Sequence, residues 1–159
     1  MEKLHLIKNN HLLCLLGPLE YHFGIGKKNH LEAKATCQNI GGKLFEPKSE
    51  KVYNEVSTLA KIKGISKFWM GIHDISNEGQ FTYDSDGKDV VWTNWYSGEP
   101  NDFGKGEDCV RSGHGHRGKQ KKWNDSPCND KYSFICEKSG IPTNEFYRYD
   151  HQKGLSVAI

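Results

Sequence analysis

Between residues 93 and 130 the chain has almost no regular hydrophobic period. The stretch is dense in Gly, Asn, Asp and Pro, is broken by single tryptophans, and holds two of the five cysteines. A segment of this length and character inside a compact domain is either functional or disordered, and the two cysteines argue for order. The fold must therefore carry a long polar loop on a scaffold made by the rest of the chain. The 159 residues suffice for one domain with a hydrophobic core. Only 35% of them are hydrophobic, but seven Tyr, seven Phe and four Trp bring large areas to bury.

The cysteines are Cys14, Cys37, Cys109, Cys128 and Cys136. CxxC metal spacing is absent. The last four form a framework that allows three pairings, and the residues alone do not choose among them. Disulfides imply an oxidising compartment, so the chain is expected to be secreted and extracellular. Cys14 is left over, either a thiol in a leader or loose end or a partner for an intermolecular disulfide. It sits in the apolar run Leu12–Leu16, which is shorter than the roughly 7–15 residues of a secretory signal core and reads as a poor or truncated leader. No stretch is long enough to span a bilayer. A formal charge of +2, from 22 basic and 20 acidic residues, gives no argument for nucleic acid or an anionic membrane as partner.

The scaffold reads as α+β. Residues 1–20 look irregular. Tyr21, His22 and Phe23 alternate as a first strand. Asn29 with Glu32 three residues on predicts a helix start, and the helix runs over 30–40 to Gly41-Gly42 with Leu31, Ala33, Cys37 and Ile40 on its apolar side. Ser49 caps a second helix, in which Val52, Val56, Leu59 and Ala60 recur at helical spacing, and Gly64 ends it. Phe68 to Ile72 reads as a buried strand. The pairs 81–83 and 90–92 flank Asp86-Gly87 as a hairpin. Phe134 to Cys136 closes the domain, and 139–159 reads as a loose tail.

The long loop holds Glu99-Pro100-Asn101-Asp102, Glu107-Asp108 and Trp123-Asn124-Asp125, with Asp74 and Glu78 just upstream. These are hard oxygen donors on loops, and they suit calcium, which takes 6–8 oxygens in flexible geometry. Magnesium fits less well, since it takes few protein ligands and keeps its waters. Taken singly, any of these residues could be a turn cap; it is the set, flanked by cysteines, that points to a metal. A cis bond before Pro100 would turn Glu99 and Asn101 to one side.

In this order, Trp69-Met70-Gly71-Ile72, Glu99-Pro100-Asn101, Glu107-Asp108-Cys109-Val110, Trp123-Asn124-Asp125 and Cys128 to Cys136 resemble the C-type lectin domain over roughly residues 21–138. The resemblance implies a C-type lectin-like fold of two helices, small antiparallel sheets and a long calcium-binding loop. It implies the disulfides Cys37–Cys136 and Cys109–Cys128. It implies a sugar-binding calcium site made by Glu99, Asn101, Glu107, Asn124 and Asp125 with the backbone oxygen of Asp125, and an auxiliary site made by Asp74, Glu78, Asp102 and Asp108 with the backbone oxygen of Glu107. Glu-Pro-Asn is the family's pattern for equatorial 3- and 4-hydroxyls, as in mannose, N-acetylglucosamine, glucose and fucose-like sugars. In such a site two neighbouring hydroxyls complete the ion's coordination, Glu99 and Glu107 accept their protons, and Asn101 and Asn124 donate to their lone pairs.

The expected partners are mannose-type glycans on glycoproteins or microbial surfaces, and a homo-oligomer would add avidity. Arg111 to Lys122 carries five basic residues and no acid. It reads as a solvated insert, or as a contact for acidic or sulfated sugars. His114-Gly115-His116 could bind a transition metal only with further ligands. The sequon Asn124-Asp125-Ser126 is discounted because its asparagine is an expected ligand. No G-x-S-x-G, H-E-x-x-H or P-loop pattern occurs, so an enzyme is not expected. A second reading is a protein-interaction module that uses calcium for loop order alone.

Overall fold

The computed structural model describes residues 14–16, 19–115, 120–139, 147–150 and 155–158. The element order is β1 (Cys14–Leu16), β2 (Leu19–Lys28), α1 (His30–Asn39), β3 (Lys43–Leu44), α2 (Glu50–Ile62), β4 (Phe68–His73), β5 (Thr82–Tyr83), β6 (Cys109–His114), β7 (Gln120–Ser126), β8 (Tyr132–Ser139), β9 (Tyr147–Asp150) and β10 (Leu155–Ala158). No helix among the described residues is long and apolar enough to cross a membrane.

The two helices form where local chemistry asks for them. Asn29 and Glu32 make a reciprocal capping box, with the Glu32 amide donating to Asn29 Oδ1 at 2.8 Å and the Asn29 amide donating to Glu32 at 3.2 Å. The face that α1 buries is His30, Ala33 and Cys37, whereas Leu31 stays exposed. A residue at i+1 points about 100° away from its neighbour, so Leu31 cannot share the side that Ala33 and Cys37 hold at i,i+4 spacing. Ser49 caps α2, which buries Tyr53 and Ser57 beside the expected Val56 and Ala60.

The strands depart further from expectation. Most lie in one eight-stranded sheet, not several small ones, with the path β1-β2-β8-β4-β6-β7; β3 also pairs β8 and β5 pairs β4. Neighbours are antiparallel except β4 and β8, which run parallel. The first strand is longer than Tyr21–Phe23 and is preceded by β1, so residues 14–16 and 19–20 are not irregular. The tail read as loose contains the two-stranded β9–β10 pair. The hairpin expected around Asp86-Gly87 forms in a short version: Thr82 bridges Asp89, the Tyr83 amide donates to the Lys88 carbonyl at 2.9 Å and the Val90 amide to the Phe81 carbonyl at 3.2 Å, and the pairing stops before Val91 and Trp92. Trp92 packs edge-on against Trp123 and at a tilt of 47° against Tyr53. The stretch 93–130 is not one loop, since β6 and β7 lie inside it.

Between α2 and the sheet lies a core of Tyr53, Val56, Phe68, Met70, Ile72 and Trp123, with Tyr21 and Phe45 edge to face. A second cluster centres on Ala33, Leu44, Trp69 and Phe134. Both expected disulfides are present. Cys37–Cys136 fastens α1 to β8, and Cys109–Cys128 fastens the start of β6 to the turn before β8. Gly113, at φ +88°, is where β6 presses on the entry to β4; a Cβ there would lie 2.0 Å from the Ser66 carbonyl oxygen. The architecture is therefore α+β, with two helices, a mixed and mainly antiparallel sheet, and two disulfides.

Candidate functional site

The strand β7 sets the floor of the site. Its pairing with β6 places Asp125 opposite Val110 and Asn124 opposite Arg111, and both polar side chains are buried. Asp125 ties the preceding loop to this floor. Its Oδ2 accepts from the amides of Asp102 at 2.7 Å and Asn101 at 3.1 Å. The Glu99–Pro100 bond between that loop and Tyr96 is cis. Asn101 Oδ1 and Glu107 Oε2 converge on one donor, the Phe103 amide, each at 2.9 Å. Glu99 lies against the same group, with its Oε2 buried and without a hydrogen-bond partner. Burial, then the neighbouring Asp125 and Glu107 carboxylates, push the Glu99 carboxyl up to about 7. Burial also raises Glu107, against the opposing hydrogen bond from Phe103.

A second group lies nearby. Carboxylate oxygens of Asp74, Glu78 and Asp108 all fall within 4.8 Å of one another. Asp74 is buried at the end of β4, and its Oδ2 accepts from the Gly79 amide at 2.8 Å. Its Oδ1 is buried with no partner, and burial, with Asp108 beside it, raises its pKa. The Asp102 carboxylate, expected in this set, does not join it at that spacing. Asp102 instead turns its Oδ1 back on its own loop, accepting from the amides of Gly106 at 2.6 Å and Glu107 at 3.1 Å.

Each group thus holds one carboxylate oxygen that is buried and unpaired. Leaving an anionic oxygen without a donor is costly. Two of the four such buried side-chain atoms among the described residues, Asp74 Oδ1 and Glu99 Oε2, sit in these two clusters. Hard oxygens, mutual repulsion and unused acceptors fit an oxygen-seeking divalent cation such as calcium.

Three further residues shape the site. Arg111, expected in a solvated insert, is buried on β6 instead. Its Nε donates to Ser126 Oγ at 2.8 Å, its Nη1 donates to the Gly113 carbonyl at 2.7 Å, and its guanidinium lies over the Tyr132 ring. A strand interior can take this charge because the backbone and a hydroxyl satisfy its donors. Lys121 and Lys122 are bound to Thr58 Oγ1 and Asn94 Oδ1. His116, Arg117 and Lys119 lie outside the described residues. His114 stacks on Tyr96 at 3.7 Å and contacts Asn124 Oδ1 at 2.8 Å. Phe103 is 81% exposed next to Asn101. An aromatic two residues past a candidate ligand was the signal available in the sequence for Phe103; nothing there marked Arg111 or His114 for these contacts.

The Lectin C-type domain family matches residues 26–138. The low affinity immunoglobulin epsilon Fc receptor of Mus musculus is 36% identical over 119 residues, which are 74% of this chain and 33% of that protein. Collectin-10 of Gallus gallus is 33% identical over 117 residues, 74% of this chain and 40% of that protein. The chain thus spans a third to two fifths of the length of these curated relatives. Among solved structures, the mouse scavenger receptor C-type lectin carbohydrate-recognition domain superposes with a TM-score of 0.72 at 26% identity, covering 81% of this chain and 96% of that one. The cow carbohydrate-recognition domain of CD23, solved in the presence of a GlcNAc2Man3 oligosaccharide, gives 0.69 at 28% identity, covering 87% and 99%. With its fold, its two disulfides and the extent of this match, the chain belongs to the C-type lectin domain family, a family of recognition modules and not of enzymes.

Proposed function

We propose that the domain is a calcium-dependent lectin for sugars with equatorial 3- and 4-hydroxyls, of the mannose, N-acetylglucosamine, glucose or fucose type. The observation that carries this reading is that Asn101 and Glu107 converge on the Phe103 amide, Asp125 holds the Asn101 backbone, and Glu99, beside Asp125 and Glu107, buries a carboxylate oxygen without a partner. Glu99, Asn101, Glu107, Asn124 and Asp125 would hold the sugar-binding calcium, and Asp74, Glu78 and Asp108 the auxiliary one, with Asp102 and Glu107 at its border. Bound calcium would offer coordination to two neighbouring sugar hydroxyls. The chain's own residues then set selectivity. Glu99 and Glu107 accept the hydroxyl protons, Asn101 donates to a lone pair, Asn124, whose two N–H groups are held by Ser126 and the Asp125 backbone, offers its Oδ1 to the ion, and exposed Phe103 offers an apolar face beside them. The oligosaccharide in the cow relative's structure supports a mannose-containing ligand. Innate recognition of microbial glycans is one setting in which such a site would serve. A glycan array read with calcium and with chelator tests the proposal. Binding to mannose-type glycans that chelator abolishes is expected; calcium-independent binding, or none, refutes it.

A further inference from the structure

The Asn124 amide is gripped at each end by a residue outside the ligand set, Ser126 and His114. Its Nδ2 donates to Ser126 Oγ at 3.1 Å, and that hydroxyl is in turn held by the Arg111 guanidinium at 2.8 Å. Nδ2 also meets the backbone oxygen of Asp125. At the other end, Asn124 Oδ1 meets His114 Nδ1 at 2.8 Å. A carboxamide oxygen only accepts, so His114 carries its hydrogen on Nδ1 and donates. That bond takes one of two lone pairs and leaves the second free. His114 is not at liberty to wander, because its ring lies flat on Tyr96, with planes 10° apart. The residue sits at the end of β6, where the ladder with β7 shifts register between Ser112 and His114. Tyr96 is fixed in its turn, since its amide donates to the Trp123 carbonyl at 3.0 Å.

We propose that His114 is a positioning residue for the sugar site. It orients the Asn124 side chain so that Oδ1 keeps one lone pair free for the ion, and the Tyr96 stack holds His114 for that task, with His114 Nδ1 also 3.9 Å from Glu99 Oε1. This rests on Asn124 being a calcium ligand in the reading above. Partners of this kind set ligand orientation, and losing them weakens metal affinity by roughly 10- to 100-fold. The amide is the ligand most in need of such a partner, because rotation by half a turn would present its NH2 to the ion.

The test is calcium affinity by titration calorimetry at one neutral pH, on the whole domain. The His114→Phe variant keeps a flat ring for Tyr96 and deletes the donor. Its calcium Kd should rise at least about tenfold, while its melting temperature in chelator matches the parent. In an Asn124→Ala background the same change should add no further loss, since the group it orients is gone. The His114→Gln variant, whose amide can donate, should recover part of the affinity. A parent that binds calcium with His114→Phe within twofold of it overturns this proposal alone. Equal losses with and without Asn124 also overturn it, because they would mark a general structural effect. A parent that binds no calcium overturns the lectin reading and this proposal with it.

Discussion

At the scale of single residues, the site is a set of donors and acceptors whose arrangement can be inverted without changing its charge. The double change Glu99→Gln with Asn101→Asp trades one acid and one amide. Calcium should still bind, but each sugar hydroxyl then meets the wrong partner, at about 1–3 kcal/mol per mismatched bond. Preference for mannose over galactose should fall by roughly fivefold to a hundredfold, read by competition with the two free sugars. Exposed Phe103 gives galactose an apolar surface to lie on, so its affinity should rise and not merely be spared. Unchanged preference with calcium still bound would show that these two residues do not read the sugar. The candidate ligands were legible in the sequence because metal chemistry is written in side-chain type: a cluster of Asp, Glu and Asn on loops has few other uses. The roles of Arg111 and His114 were not legible. A run of basic residues reads as solvated, and only the pairing of β6 with β7 turns Arg111 inward and brings His114 to Asn124.

At the scale of elements, legibility follows the range of the forces involved. Both helices were readable because caps and helical period act within a few residues, as Asn29 with Glu32 and Ser49 with Val52 do. β6 and β7 were missed because Lys, Asn, Asp and Gly have low strand propensity; only pairing to β4 and the burial of Val110 and Trp123 make them strands. The turn at Asp86-Gly87 was readable for the same reason as the helices and does form, with 81–83 paired to 88–90, while the pairing does not extend to Val91 and Trp92. The strand β8 carries a testable consequence of its burial. Glu137 lies at its end beside Glu46, and desolvation pushes its carboxyl from 4.5 up to about 7 even with Lys43 3.6 Å away. The native chain therefore keeps a proton that the unfolded chain has released. Stability must fall as pH rises from about 4.5 to about 7, and Glu137→Gln should flatten that part of the slope. Urea midpoints of the two proteins near pH 5 and near pH 7.5 decide this; parallel profiles would mean that Glu137 does not titrate there.

At the scale of the whole molecule, two disulfides and the core brace the scaffold, while the carboxylates of each cluster repel one another. Calcium at a hundred times its Kd should stabilise the domain by about 2.7 kcal/mol. That corresponds to a rise in melting temperature of roughly 5–10 °C for a domain of this size. Equal melting curves in calcium and in chelator would remove calcium from the account. The sheet has one more consequence. β2 and β8 lie side by side and antiparallel, with Leu19 opposite Ser139. The part of the fold that runs from β2 to β8 therefore begins and ends at one point, with its two ends about 5 Å apart. A unit of that shape behaves like a bead with both holes on one side. It can be spliced into a surface turn of another protein, or strung in series, without prising apart the host strands that lead into it.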